Sequence, residues 1–270
     1  MFIPGVVPGD HSGEELWLYV GAGAVLVKGG RNPTELPLAL PPDQLGIEAG
    51  PPIFLGTLDG AAVWAVDAAG AADPGVDDLS FVDLRALYGG TSETRWVLAG
   101  RAVQMVEWQR THQFCGRCAT PTTAVDGDRA MRCGACGLLA YPRLAPAVIV
   151  LIERGDEALL ARGKAFPVPM YSALAGFVEP GETLEQAVHR EVAEEVGVRL
   201  SDVRYFGSQP WPFPNSLMIG FTATWAEGEI EIDPSEIVDA NWYRYDDLPM
   251  VPPRMSIAGH LIEAFVARHR

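Results

Sequence analysis

Two groups of residues in this chain have the side chains and the spacing to do chemistry. The first is Cys115-Gly-Arg-Cys118 and Cys133-Gly-Ala-Cys136, two C-x2-C pairs separated by 14 residues. Thiolates spaced in this way can close tetrahedrally around a zinc ion, and the glycines inside the pairs, Gly116 and Gly134, suit tight turns. Four sulfurs leave no open coordination position, so such a zinc is structural and activates no water. A redox motif, the rival reading, would need only one of the pairs. His112, just ahead of them, reads as a packing residue and not as a further ligand. The second group is Glu191, Glu194 and Glu195, at i, i+3 and i+4, which a helix projects onto one neighbouring face. Like charges so close repel unless a cation neutralises them, and hard oxygen ligands suit Mg²⁺ or Mn²⁺. On spacing alone, a solvated acidic face is an equal alternative. Arg190 can orient Glu191 or Glu182, or form an ordinary surface ion pair.

The elements that must position these residues follow from periodicity. Thr183 with Gln186 is a capping-box pattern and Gly197 stands where a left-handed C-terminal cap would, so the spacing predicts a helix between them. Its buried stripe is Leu184, Ala187, Val188, Val192 and Val196. Upstream, 145–153 is a continuous apolar strand and 157–163 its return strand. Downstream, strands are expected at 203–207, 217–226 and 238–245, and a helix at 257–267 from the spacing of Ile257, Leu261, Ile262 and Phe265. Nearer the N-terminus, 16–69 reads as short strands with a hairpin at Asp59-Gly60. From Arg95 the recurrence of Leu98, Ala102, Met105, Val106 and Gln109 predicts a helix. No internal repeat is visible. Three segments result: an N-terminal α+β domain (1–108), a zinc ribbon (109–140) and an α/β domain (141–270).

Composition narrows the function classes. With 270 residues, 48% of them apolar, the chain can bury one large core or several smaller ones. With 35 acids against 20 bases, the formal charge of −15 disfavours non-specific nucleic-acid binding, and a phosphate substrate would need bound cations. All cysteines lie between 115 and 136, which leaves no disulfide framework and suits a reducing cytosol. The opening MFIPGVVPGDHSGEE has no basic start. The apolar run from Leu16 to Val27, broken by Gly21 and Gly23, is shorter than the ~20 residues that span a bilayer. Neither a signal peptide nor a membrane segment is expected.

Read as one string, Gly176, five residues, Glu182, seven residues and then Arg190-Glu191-Val192-Ala193-Glu194-Glu195-Val196-Gly197-Val198 resembles the Nudix box at every specified position. The resemblance implies an α/β/α sandwich with a mixed sheet. It also implies metal-dependent hydrolysis of a nucleoside diphosphate linked to another moiety, with Glu182, Arg190, Glu191, Glu194 and Glu195 as the catalytic set. Beyond the box stands Ser208-Gln209-Pro210-Trp211-Pro212-Phe213-Pro214-Asn215-Ser216. Alternating prolines and aromatics make a stiff segment able to present ring faces to a planar ligand. Composition alone favours a plainer reading, an edge strand with buried aromatics.

Together with the box and the cysteine pairs, however, this segment resembles the NADH pyrophosphatase branch of the Nudix hydrolases. The match continues in Ile232-Asp233-Pro234-Ser235-Glu236, Ala240-Asn241-Trp242-Tyr243 and Asp246-Asp247-Leu248-Pro249, covering 110–260 well and the N-terminal domain loosely. That resemblance implies a catalytic Mg²⁺ or Mn²⁺ on Glu191, Glu195, Glu236 and the Ala175 carbonyl. It implies substrate contacts from Gln209, Pro210, Trp211, Pro212, Phe213, Pro214, Asn215 and Ser216, with Tyr141, Phe177, Ala258, Asp128 and Arg85 adding to them. Asp128 departs from the pattern, where glutamate is usual. The implied reaction is hydrolysis of NADH, and less selectively NAD⁺, to AMP and nicotinamide mononucleotide by a homodimer. Which carboxylate serves as general base is left open. Removal of a 5′-NAD cap from RNA breaks the same bond, and Arg110, Arg117, Arg129, Arg132 and Arg143 could form a local basic patch for it. A nucleotide-sensing regulator is the reading from another class, and the intact carboxylate set argues against it.

Overall fold

Several of the longer strands are short continuous apolar runs, buried along most of their length, as expected of strands covered on both faces. The structure is a computed structural model that describes the whole chain except residues 10, 12, 48, 69–75 and 165–168. Two compact units result, 1–143 and 144–270. No helix among the described residues is long and apolar enough to cross a membrane.

The first unit contains β1 (Phe2–Pro4), β2 (Glu15–Gly21), β3 (Ala24–Lys28), the one-turn α1 (Pro42–Leu45), β4 (Ile53–Leu58), β5 (Ala61–Asp67), β6 (Leu79–Asp83) and α2 (Glu93–Thr111). The β4–β5 hairpin turns at Asp59-Gly60 as expected, both residues having positive φ. The strand reading that ran to Ala69 stops at Asp67, and Ala69 itself lies outside the described residues. The sheet order is β1-β4-β5-β2-β3-β6, with β2 and β5 parallel and the other pairs antiparallel. Helix α2 begins two residues before Arg95, because Ser92 caps it by accepting from the Arg95 N–H. The helix packs on β5, β2 and β4. Three short antiparallel strands follow, β7 (Thr122–Ala124), β8 (Met131–Cys133) and β9 (Leu139–Ala140).

The second unit contains β10 (Ala145–Arg154), β11 (Glu157–Gly163), β12 (Leu174–Phe177), α3 (Leu184–Val196), β13 (Arg199–Trp211), β14 (Ser216–Glu227), β15 (Ile237–Arg244) and α4 (Ile257–His269). Its order is β13-β14-β10-β11-β15, with β12 beside β10; only β10 and β14 run parallel. Val148, Val150 and Ile152 pack with Ala187, Val188, Val192 and Val196 of α3. Ile149, Leu151 and Leu160 pack with Ile257, Leu261, Ile262 and Phe265 of α4. The unbroken apolar run of β10 is thus a strand covered on both faces, at the centre of the expected α/β/α sandwich. Strand β12 is too short to signal itself in the sequence. Strand β13 is much longer than the expected 203–207, because its exposed edge position requires no apolar alternation.

The two units repeat one topology, although the sequence shows no repeat. The order β4-β5-β2-β3-β6 matches β13-β14-β10-β11-β15 strand for strand, with the parallel pair in the same place. Helix α2 packs on the strands equivalent to those under α4. Between the hairpin and the next strand the second unit carries β12 and α3, whereas the first carries only α1 among its described residues. The N-terminal α+β domain expected from the sequence is present, and the structure adds that it is a second copy of the sheet, one that lacks the carboxylate helix.

Candidate active site

Helix α3 forms where its caps dictate. Thr183 accepts from the Gln186 N–H at 3.2 Å while the Gln186 side chain accepts from the Thr183 N–H at 2.8 Å. At the other end Gly197 adopts φ 74° and donates to the Ala193 carbonyl. Carbonyls left over at that end organise the next part of the site. The Glu231 N–H donates to Val196 and the Asp233 N–H to Glu195, both at 2.9 Å, and the Glu236 carbonyl accepts from the Lys164 N–H at 2.9 Å. These bonds bring the loop bearing Glu236 to the carboxylate end of α3.

Arg190 is an organiser and not an ordinary surface ion pair. Its Nε and Nη2 donate to Glu182 at 3.1 and 2.6 Å, and its Nη1 donates to Glu191 at 2.8 Å and Glu194 at 3.0 Å. A fifth bond runs from Nη2 to the Phe177 carbonyl at 2.9 Å. The guanidinium pKa is raised by these carboxylates, and the Glu182 carboxyl is lowered by Arg190 and by the Glu179 N–H. Glu191 lies directly over Gly176 of β12: a Cβ there would fall 1.8 Å from the Glu191 Cδ. The box glycine is therefore a seat for a carboxylate, a role that its place in the string does not reveal.

Glu195 differs from the other acids. It is only 7% exposed, and burial together with Glu191, Glu236 and Glu194 pushes its pKa up to about 8. Its Oε2 is buried without a hydrogen-bond partner. An orphaned carboxylate oxygen among three further acids is what a hard divalent cation would satisfy. Glu191, Glu236 and Glu194 are the acids whose charges act on Glu195, and with it they could hold such a cation.

The four cysteines also converge. Their sulfurs lie within 4.8 Å of one another, with Cys115 to Cys136 and Cys118 to Cys133 both 3.5 Å. Both loops turn on the residue after the second cysteine: Ala119 (φ 59°) and Gly137 (φ 73°) donate to the Cys115 and Cys133 carbonyls. The expected role of Gly116 and Gly134 is corrected, since neither has positive φ and a Cβ at either would meet nothing within 4 Å. Hydrogen bonds with Thr120 push the Cys118 thiol down to about 6, toward the thiolate that zinc requires. His112 is buried with Nδ1 2.9 Å from the Trp108 carbonyl, in keeping with packing.

The aromatic segment occupies the end of β13 and the turn into β14, at the sheet edge. The amide of Gln209 is engaged at both ends: Nε2 donates to the Met255 carbonyl at 2.6 Å and Oε1 accepts from the Ile257 N–H at 2.8 Å. Gln209 thereby fixes the start of α4 and the buried Ala258 that follows. Trp211 and Phe213 are half-buried and meet edge to face at 5.2 Å. Pro212 and Ser216 are buried, Pro210 and Pro214 exposed, and Asn215 half-buried with its carbonyl accepting from Ala145. Phe177 is 60% exposed at the end of β12. Tyr141, Asp128 and Arg85 belong to the first unit, exposed after β9, in the β7–β8 turn and after β6 respectively.

A mixed sheet between two helices, with one arginine clamping a carboxylate cluster on the first of them, defines the Nudix hydrolase class. The NUDIX domain model matches residues 143–265, and the NADH pyrophosphatase zinc ribbon model matches 110–141. The NADH pyrophosphatase-like rudimentary NUDIX domain matches 14–108, in accord with the repeated topology. The chain is 49% identical over 222 residues to an NAD-capped RNA hydrolase NudC of Deinococcus radiodurans, covering 81% of this chain and 78% of the relative. A protein of the same name from Stutzerimonas stutzeri is 49% identical over 234 residues, covering 87% and 80%. A solved NUDIX hydrolase from Nitrosomonas europaea, 21% identical, superposes with a TM-score of 0.51 over 58% of this chain and 92% of its own, a likeness of fold. This chain belongs to the NADH pyrophosphatase family of Nudix hydrolases.

Proposed function

We propose that this protein hydrolyses the pyrophosphate bond of NADH, and less selectively of NAD⁺, to AMP and nicotinamide mononucleotide. The observation that carries the reading is the buried, unpartnered Glu195 among Glu191, Glu194 and Glu236. Glu191, Glu195, Glu236 and the Ala175 carbonyl would hold Mg²⁺ or Mn²⁺. When bound, the ion supplies neutralisation of charge at phosphorus and a lowered pKa for the attacking water. Arg190 keeps Glu191 and Glu194 oriented, and Glu182 anchors Arg190. Phe177, Trp211 and Phe213 offer ring faces for the bases, while Pro210, Pro212, Pro214, Asn215 and Ser216 shape the wall that carries them. Gln209 and Ala258 are further substrate contacts, and the Gln209 amide also sets the start of α4. Tyr141, Asp128 and Arg85 are proposed as further substrate contacts on the family resemblance alone. Zinc on Cys115, Cys118, Cys133 and Cys136 is structural. We further propose domain limits at 1–108, 109–140 and 141–270, a homodimer and a cytoplasmic location.

Removal of the NAD cap from RNA is the second reading, favoured by the name of the relatives at 49% identity. The scissile bond is the same and only the 3′ side of the adenosine differs. Parallel kcat/KM measurements on NADH and on NAD-capped RNA, with Mg²⁺ and with Mn²⁺, test both readings. Multiple-turnover release of AMP from NADH is expected. A higher kcat/KM on capped RNA would reverse the order of substrates, and no turnover of either would leave a nucleotide-sensing role.

A further inference from the structure

Arg162, near the end of β11, is half-buried, and its Nε is shielded from solvent with no hydrogen-bond partner. Every other arginine of the second unit except the terminal Arg270 is in an ion pair with a carboxylate among the described residues. Arg162 has a carboxylate at hand and does not use it. Asp239 of β15 is its direct cross-strand neighbour. That carboxylate instead accepts from the Tyr171 hydroxyl at 2.5 Å and the Asn241 amide at 3.0 Å. Shielding the Nε–H of a guanidinium from water with no acceptor costs free energy, which an arriving anion would recover.

The surroundings say which anion. Ala161 exchanges backbone hydrogen bonds with Ser172, and Lys164 donates to the Glu236 carbonyl at 2.9 Å. These ties bracket Arg162 between the β12 segment bearing Ala175 and Phe177 and the loop bearing Glu236. Ala161 belongs to the core under α3 and Leu160 to the core beside α4, so strand alternation turns Arg162 to the α4 side. Ala173 is on the α4 side and Leu174 on the α3 side, so Ala175 and Phe177 alternate to the same side as Arg162, where Ala258 also lies. Arg190 cannot serve an anionic ligand there, because all five of its N–H groups are committed to Glu182, Glu191, Glu194 and Phe177.

We infer that Arg162 is a substrate-binding residue that holds a phosphate group of the dinucleotide, the planar guanidinium matching two phosphate oxygens. The inference rests on the reading of this site as a dinucleotide pyrophosphohydrolase. The test is calorimetric binding of AMP and of nicotinamide mononucleotide to the full chain, with adenosine and nicotinamide riboside as phosphate-free controls, alongside NADH kinetics. Arg162→Met keeps the aliphatic stem and removes the charge. It should raise Kd for at least one mononucleotide by on the order of tenfold to a hundredfold, raise KM for NADH, and leave both nucleosides and the melting temperature unchanged. Arg162→Lys should fall between wild type and Arg162→Met, since a point charge cannot form the bidentate pair. It carries the test alone if Arg162→Met does not fold. Unchanged mononucleotide affinity in a folded variant, or an equal loss for nucleosides and mononucleotides, overturns the assignment. If wild type turns over no NADH yet Arg162→Met loses mononucleotide binding, the proposed reaction fails while the phosphate site stands.

Discussion

Glu195 shows how far a single side chain can be placed in conflict with its own charge. Its folded pKa is shifted from the ordinary 4.5 to about 8, so the folded protein binds a proton that the unfolded chain releases between those values. Stability contributed by that proton is present at low pH and is lost as pH rises through the window. The melting temperature of chelated protein should therefore fall between about pH 5 and pH 8, and this component should be absent in Glu195→Gln and reversed in wild type by added Mg²⁺. The same variant should keep its fold and lose on the order of 10² to 10³ in kcat, as expected for one preorganised charge-stabilising group. Near wild-type turnover at saturating Mg²⁺ would remove Glu195 from the metal cluster. Trp211 offers a second residue-scale test. As a stacking face, its loss in Trp211→Ala should cost roughly 1 to 3 kcal/mol, or about 5- to 150-fold in kcat/KM for NADH. A short-chain pyrophosphate analogue that never used the wall should be cleaved as before; an equal fall for both would assign Trp211 to support of the sheet edge.

Among the elements, β12 and α3 act as one device. Helix α3 brings the carboxylates, and the four-residue strand supplies the glycine on which Glu191 rests. A methyl group at Gly176 would sit 1.8 Å from the Glu191 Cδ, and the clash is with a carboxylate already fixed by Arg190. Gly176→Ala should therefore leave far-UV circular dichroism unchanged while lowering kcat by on the order of 10², since displacement by about 1 Å is enough to do so. Mn²⁺ affinity, followed by paramagnetic relaxation of water, should weaken in parallel. Wild-type Mn²⁺ affinity in that variant would mean that Glu191 can leave its seat at no cost. A similar coupling joins β13 to α4, where the Gln209 amide bonds at both ends to the backbone of Met255 and Ile257. The Gln209 side chain thereby also holds the wall that carries Ala258.

At the scale of the whole molecule, one sheet topology is used twice with different additions. The second copy inserts β12 and α3 and acquires the carboxylates. The first omits them and leads through α2 into the cysteine cage. Because that cage has no open coordination position, its metal contributes folding energy and no chemistry. Cys133→Ser should release zinc, as read by elemental analysis of the purified protein, and lower the melting temperature. Zinc-free wild type that melts unchanged in strong chelator would show that the cage is not a metal site.

Short-range patterns were legible in the sequence because helix caps, C-x2-C pairs and hairpin turns are set by residues a few positions apart. The limits of α3, the Asp59-Gly60 turn, the sulfur cage and the acidic face of the carboxylate helix are all of this kind. What needed the tertiary structure depends on groups far apart in the chain. The raised pKa of Glu195 requires burial and the approach of Glu236, a loop held by the last carbonyls of α3. The seat at Gly176 and the five bonds of Arg190 need β12 beside α3, and the free guanidinium of Arg162 is visible only once Asp239 is seen engaged by Tyr171. The repeated sheet was hidden for a related reason: a strand order is kept by which faces are buried, and many different sequences satisfy the same burial. The sequence by itself determined which groups could do chemistry, and long-range packing decided which of them are charged, seated or left without a partner.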